Sequence, residues 1–231
     1  MDLYASADFW IGLLKIIWIN IVLSGDNAVV IALAARSLRP EEQRRAIFWG
    51  SGFAVVLRIG LTLVAVQLMA QPFLQIVGGL LLLWIGVQLL DEEAESDEDA
   101  QTHDNLIAAI RTILVADLVM SLDNVIGVAA AAKGNLVLLV LGLGISIPLV
   151  VFGSAFMIGL MTRWPIVVRL GAGLIGWVAG ETLVSDVALQ HLIGHLAWLH
   201  WLVPALCAAL VLSWPRIAAK FKPTDPQEPT L

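Results

Sequence analysis

Seven long apolar runs dominate this chain, at about residues 9–35, 46–69, 73–90, 107–132, 136–160, 166–184 and 198–214. A helix needs about 20 largely apolar residues to cross a bilayer. The runs are continuously apolar, whereas membrane-spanning strands alternate in polarity over about 10 residues. Charged residues make up 14% of the sequence, and soluble domains have roughly 25%. We therefore predict an all-α fold, a polytopic transmembrane bundle of seven helices.

Basic residues in the short loops predict the orientation of these helices. Seven crossings bring most of the arginines and lysines to one side, which the positive-inside rule assigns to the cytoplasm. They are Arg36, Arg39, Arg44, Arg45, Arg111, Arg163, Arg169, Arg216, Lys220 and Lys222. The first run lacks a preceding basic region and is too long for a signal-peptide core, so we expect a retained helix. The prediction is a multi-pass protein of the inner (plasma) membrane, with the N-terminus outside and the C-terminus in the cytoplasm.

One sequence element occurs twice. Residues 20–27 (NIVLSGDN) match residues 117–124 (DLVMSLDN) 97 positions later, so that Asp26 aligns with Asp123. Residues 72–84 likewise match residues 165–177, 93 positions later. Because each copy has three helices, the second copy enters the membrane from the opposite side. This predicts two inverted three-helix repeats plus a C-terminal helix, an architecture typical of secondary transporters, although gene duplication also occurs in membrane proteins that transport nothing.

These features divide the chain into five segments. They are a first three-helix repeat (1–90), an acidic cytoplasmic linker (91–105), a second, inverted repeat (106–185), an extracytoplasmic loop (186–197), and a seventh helix with a cytoplasmic tail (198–231). The linker, DEEAESDEDAQTHD from Asp91 to Asp104, is polar and acidic enough to be disordered. It is a solvated connector, which is the simpler explanation, or a cytoplasmic collector of cations, or a weak regulatory site.

Ionisable residues inside the predicted helices give the strongest indication of function. Asp26 and Asp123 lie about 15 Å and about 18 Å from the cytoplasmic ends of their helices, so both fall near the midplane. Asp117, Arg58 and Glu181 complete the set. Each unpaired charge at a helix centre costs about 3 kcal/mol, so these groups must pair, protonate or hold an ion. Arg58 can form a structural pair with one aspartate, but one arginine cannot neutralise three, which predicts a site for a cation or protons.

Oxygen atoms are the donors available near these charges. Carboxylate, amide and hydroxyl oxygens favour Mg²⁺, Ca²⁺ or Mn²⁺. The candidate ligands are Asn20, Ser24, Asp26, Asn27, Asp117, Ser121, Asp123 and Asn124. Ser24 and Gly25 weaken a helix, which favours local unwinding that would free carbonyl ligands; small-residue packing is the alternative. The single Cys207 excludes a disulfide framework and a thiolate site, and His191, His195 and His200 form a loose outer cluster that either admits metal or simply solvates a loop.

The Ser-Gly-Asp-Asn-Ala and Ser-Leu-Asp-Asn-Val elements, each followed by an alanine-rich helix, resemble the paired signature of the TerC family of integral membrane proteins. The resemblance covers the six repeated helices, and that family is similar in architecture to the LysE superfamily of exporters. It implies Mn²⁺ export, besides a historical association with tellurite resistance. The ion site that it implies contains Asp26, Asn27, Asp117, Asp123 and Asn124. The chain has Asn20 where the second copy has Asp117, so this site need not be symmetric.

Together these features predict a transporter that exports a divalent cation by alternating access, and the resemblance implies that this cation is foremost Mn²⁺. Protons are candidates for coupling because burial lets them compete with metal for carboxylates, and Arg58 and Glu181 are candidates for charge pairing or coupling. The alternatives are a non-transporting accessory of a metal-stress, tellurite-stress or secretion complex, and a transporter of Ca²⁺ or an amino acid. The sequence has no nucleophile–base set or cofactor motif, so we expect no enzyme and no prosthetic group. The expected partners are the metal ion and the lipid bilayer, without nucleic acid, and a homo-oligomer is compatible with the sequence.

Overall fold

The computed structural model describes residues 7–69, 71–96, 106–132, 135–189 and 196–221, and within these ranges it consists of helices joined by short turns, without strands. The long helices are α1 (Ala7–Ala35), α2 (Pro40–Met69), α3 (Leu74–Ser96), α4 (Leu106–Ala132), α5 (Leu136–Arg163), α6 (Ile166–Val184) and α7 (Leu199–Phe221). The predicted all-α fold is therefore confirmed for the described part of the chain.

Several of these helices have the length and apolarity of membrane spans. Four candidates lie within the described residues, at Pro40–Val64, Leu136–Arg163, Ile166–Val184 and Leu199–Ile217. Shorter apolar stretches occur in α1 (Phe9–Ile19 and Gly25–Ala35) and in α3 (Leu74–Leu90). Large apolar side chains face outwards, such as Trp18 and Phe152, which are 67% and 75% exposed. Lipid chains can cover such a surface, and the chain is a multi-pass membrane protein; the count of seven crossings stays a prediction.

The helix ends differ from the predicted spans mainly where a helix continues into polar sequence. α2 begins at Pro40, with Glu41 and Glu42 in its first turn, where proline and acidic residues favour a helix start. α3 continues to Ser96, so the predicted linker is helical over residues 91–96 instead of disordered. Each added residue extends a helix that is already nucleated, which makes this continuation inexpensive. The remaining linker, residues 97–105, lies outside the described residues.

The predicted unwinding at the doubled motif is wrong. α1 is continuous through Ser24 and Gly25, and α4 is continuous through Ser121 and Leu122. Glycine costs a helix only about 1 kcal/mol relative to alanine. An unsatisfied backbone group costs several kcal/mol in lipid, so the unbroken helix is favoured. The backbone carbonyls at this motif are therefore not free to bind an ion.

The helices pack in two related pairs and one group of three. α1 lies along α5 and α2 lies along α4, while α3 packs against α6 and α6 packs against α7. A side chain at Gly50 of α2 would lie 3.0 Å from Ile113 of α4, and one at Gly142 of α5 would collide with Ile16 of α1. Gly142 follows Gly50 by 92 positions, and Ile113 follows Ile16 by 97. The two helix pairs thus make the same glycine–isoleucine contact.

Asp186 connects the end of α6 with the start of α3. Its carboxylate accepts hydrogen bonds from the backbone N–H groups of Phe73, Gln75 and Ile76, at 3.0, 3.0 and 3.2 Å. The N–H of Ala188 donates a fourth, at 2.8 Å. Burial alone would raise the pKa of Asp186, but the four donors stabilise the carboxylate and bring the pKa below its ordinary value. Asp186 thereby caps α3 and joins it to the loop that follows α6.

Candidate ion site

A buried ion pair lies where α2 packs against α4. Nη2 of Arg58 is 2.6 Å from Oδ1 of Asp117, and Nε of Arg58 donates a hydrogen bond to Oγ of Ser121 at 3.0 Å. The Ser121 hydroxyl donates in turn to Oδ2 of Asp117 at 3.1 Å. Asp117 and Ser121 are four residues apart, so they share one face of α4. The pairing expected between Arg58 and one aspartate is thus found, and its partner is Asp117.

The side chains of this network are almost completely buried. Arg58 is 5% exposed, Asp117 is 7% exposed and Ser121 is fully buried. A buried charge is tolerated when it is paired and its other hydrogen-bonding atoms are satisfied. Both carboxylate oxygens of Asp117 have a donor here. Any other cation that uses Asp117 must therefore compete with Arg58.

A small cavity adjoins the ion pair at the junction of α1, α2, α4 and α5. Its volume is about 10 Å³, measured as the space open to the centre of a water molecule, which is about enough for one water. Its walls are Asn27, Ile31, Ser51, Ala54, Val55, Arg58, Asp117, Ile147 and Val150. Ser51 is 2% exposed, and among the described residues its hydroxyl has no hydrogen-bond partner. The cavity therefore has polar groups on three helices and an apolar wall on the fourth.

The aspartate and asparagine of the first motif lie beside this cavity. Asn27 lines it and is 3% exposed. The backbone N–H of Asn27 donates to Oδ1 of Asp26 at 2.9 Å. Asp26 is half-buried and lies within electrostatic range of both Arg58 and Asp117. The first motif and the second motif thus reach the same region of the bundle interior.

The structure brings together only part of the predicted site. Asn27, Arg58 and Asp117 line the cavity. Ser121 is hydrogen-bonded to both Arg58 and Asp117, and Asp26 lies nearby. Asn124 is half-buried on α4. The side chains of Asn20, Ser24 and Asp123 belong to α1 and α4 but lie outside the described part. Glu181 is exposed on α6, where it accepts a hydrogen bond from Nε1 of Trp177 at 2.9 Å, and it does not join this group. His200 is exposed, and residues 191 and 195 lie outside the described ranges.

The candidate ligands near the cavity are oxygen atoms of different side-chain types. In the ranges that the structure describes, no three His, Cys, Asp or Glu side chains come together. The oxygens near the cavity belong to one amide, one hydroxyl and the paired carboxylate of Asp117, with Asp26 adjacent. Hard divalent cations accept such mixed oxygen ligands and retain water to complete their shell.

Ser51 is the site residue that the sequence analysis missed. It precedes Arg58 by seven residues on α2, which is two helical turns, so the two side chains share one face. That seven-residue spacing was the feature of the sequence that could have identified Ser51. It carried little weight because isolated serines are common in membrane helices, where they often bond to backbone carbonyls.

Comparisons with known proteins agree with this architecture. The family model described as Integral membrane protein TerC family matches residues 5–222. The uncharacterized membrane protein YjbE of Bacillus subtilis is 42% identical over 205 residues, which are 89% of this chain and 94% of that protein. YkoY of the same organism is 24% identical over 245 residues, covering 94% of this chain and 75% of that protein. The UPF0053 inner membrane protein YoaE of Escherichia coli is 25% identical over 205 residues, covering 80% of this chain and 39% of that protein. No solved structure matches the chain.

Proposed function

Since the chain belongs to the TerC family of integral membrane proteins, we propose that it is a transporter that exports a divalent metal cation, foremost Mn²⁺. The observation that carries the proposal is the meeting of polar side chains from α1, α2 and α4 around one small cavity inside an apolar bundle. Polar and ionisable groups are expensive in a membrane interior, and where they occur they mark ion pathways.

The balance of charge supports a cation as the substrate. Arg58 neutralises Asp117, so the doubled motif keeps two further aspartates, Asp26 and Asp123. Their charge attracts cations and disfavours an anionic substrate. The available oxygen donors suit Mn²⁺, Mg²⁺ and Ca²⁺ better than they suit zinc or copper. Mn²⁺ is placed first because of the resemblance of the doubled motif to the TerC signature.

Alternating access between two inverted repeats is the proposed mechanism. It is supported by the similar packing of α1 on α5 and of α4 on α2, with their matching glycine–isoleucine contacts. The cavity walls include Val55 and Ile147, which are 92 positions apart, as Gly50 and Gly142 are. A site on the boundary between two such halves becomes accessible from either side as the halves rock. We further propose seven crossings, with the N-terminus outside and the C-terminus in the cytoplasm of the inner membrane.

Flux of Mn²⁺ into liposomes that contain only the purified protein tests the proposal. We expect Asp26→Ala and Asp123→Ala each to abolish flux, because each removes a carboxylate that no other residue replaces. Glu41→Ala, which removes an exposed acid at the start of α2, should leave flux unchanged. Normal flux in both aspartate variants would sink the proposal. No flux from well-folded wild-type protein would instead favour the non-transporting accessory.

A further inference from the structure

We propose that Arg58 is a tethered cation that shares Asp117 with the transported ion, and that Ser51 is a ligand of that ion. The inference rests on the proposed function and adds two roles to it. When a divalent cation enters the cavity, it takes oxygen atoms of Asp117, Asn27 and Ser51. Nη2 of Arg58 then leaves Asp117, while its Nε remains bonded to Ser121.

Ser51 provides the evidence that the cavity holds a ligand. Nearly all buried side-chain hydroxyls have a hydrogen-bond partner, and leaving one unsatisfied costs about 1–3 kcal/mol in general. The Ser51 hydroxyl is buried and has no partner among the described residues. It lines a cavity that has room for one water-sized species. A water or a cation in that position would satisfy it, and a hydroxyl oxygen is a suitable ligand for a hard cation.

Arg58 already occupies the place of a cation at Asp117. Its guanidinium contacts Oδ1 at 2.6 Å and lies on the wall of the same cavity. A metal ion bound to Asp117 would lie close to the guanidinium, and the two positive charges would repel each other. The repulsion is strong because both charges are shielded from water. Binding of the ion and displacement of Nη2 must therefore occur together.

The formal charges of the motif aspartates and of Arg58 indicate how many divalent ions they balance. Asp26, Asp117 and Asp123 carry three negative charges when ionised, and Arg58 carries one positive charge. The aspartates of the doubled motif, taken together with Arg58, are therefore short of two positive charges, which one divalent cation supplies. Without Arg58 the deficit would be three, and a bound divalent cation would leave one negative charge uncompensated. With Arg58, the charge of these aspartates is thus balanced by a single divalent ion, and the arginine helps to release that ion.

The two repeats differ at the positions that make this pair. Val150 of α5 follows Arg58 by 92 positions, as Gly142 follows Gly50, and Asn20 precedes Asp117 by 97. Val150 also lines the cavity. The chain therefore supplies one tethered cation, on the α2–α4 side alone, and not a symmetric pair.

Mn²⁺ binding and Mn²⁺ flux together test the inference. Binding is measured on the purified full-length protein in lipid nanodiscs, from the electron paramagnetic resonance signal of free Mn²⁺, and flux is measured in liposomes. We expect Arg58→Gln to bind Mn²⁺ at least about tenfold more tightly, and to export it at least about tenfold more slowly, because the competing charge is gone. Arg58→Lys should retain near wild-type behaviour. Ser51→Ala should bind about tenfold more weakly.

Ser154→Ala is the matched control for Ser51→Ala. Ser154 is also a fully buried serine, on α5, but its hydroxyl donates to the carbonyl of Val150 at 2.8 Å and it does not line the cavity. Equal Mn²⁺ affinity in the Ser51 and Ser154 variants, or unchanged affinity in Arg58→Gln, would overturn the inference while wild-type flux left the proposed function intact. If Arg58→Gln fails to fold, the two serine variants decide. Wild-type protein that neither binds nor carries Mn²⁺ would overturn both.

Discussion

The buried ion pair makes a quantitative prediction about stability. Replacing Arg58 by methionine keeps most of the unbranched side chain but leaves the Asp117 carboxylate buried without its positive partner. Removal of one member of a buried pair costs about 3–5 kcal/mol. The pair is 2.6 Å apart and its members are 5% and 7% exposed, so the range for buried pairs applies. Ser121 still donates one hydrogen bond to Asp117, so we expect the lower end, about 3 kcal/mol.

The free energy of unfolding is compared between wild type and variants. It is measured by titration with sodium dodecyl sulfate in mixed micelles and followed by far-ultraviolet circular dichroism. The double variant Arg58→Met with Asp117→Asn removes both charges and should recover at least about half of the loss, because no uncompensated charge remains. Arg169→Met, which removes an exposed arginine on α6, should lie within about 0.5 kcal/mol of wild type. An Arg58→Met variant as stable as Arg169→Met would refute the reasoning, as would a double variant no more stable than Arg58→Met.

Two further predictions concern the contacts that hold the helices in place. Asp186→Ala should lower the free energy of unfolding by about 2–4 kcal/mol, because it removes a helix cap and charge-assisted hydrogen bonds; a loss below about 0.5 kcal/mol in the same titration would contradict the capping role. Because the pKa of Asp186 is lowered on folding, its ionised carboxylate stabilises the folded state fully above about pH 4. This stabilisation is lost as the pH falls through the folded-state pKa, so the difference in unfolding free energy between wild type and Asp186→Ala should close in acid. Gly180→Ala should cost about 1–3 kcal/mol, because its Cβ would collide with the backbone of Pro204 on α7. Gly60→Ala, where a Cβ meets nothing within 4 Å, should be neutral or stabilising by up to about 1 kcal/mol, and equal effects of the two glycine substitutions would contradict the packing of α6 on α7.

Helix positions were largely predictable because lipid leaves the backbone few choices. A long apolar run must satisfy its own N–H and C=O groups, and a helix does so locally. The predicted span at residues 166–184 agrees with α6 to the residue. The same rule explains the wrong prediction of unwinding at Ser24 and Gly25, where local propensity was given more weight than backbone satisfaction. Helix ends in polar sequence, such as Ser96 of α3, were less predictable because water can satisfy either conformation.

The sequence by itself determined the class of the protein and its candidate charges. The doubled motif, the excess of aspartates over Arg58 and the oxygen donors are all visible without coordinates. Only the tertiary structure decided that Arg58 pairs with Asp117, since these residues are 59 positions apart and meet because α2 packs against α4. It also decided that Asp186 is a cap and that Glu181 lies apart. In the same way it decided that the hydroxyl of Ser51, which has no hydrogen-bond partner among the described residues, lines the cavity. Such facts depend on which helix faces come together, and periodicity within one helix does not specify its neighbour.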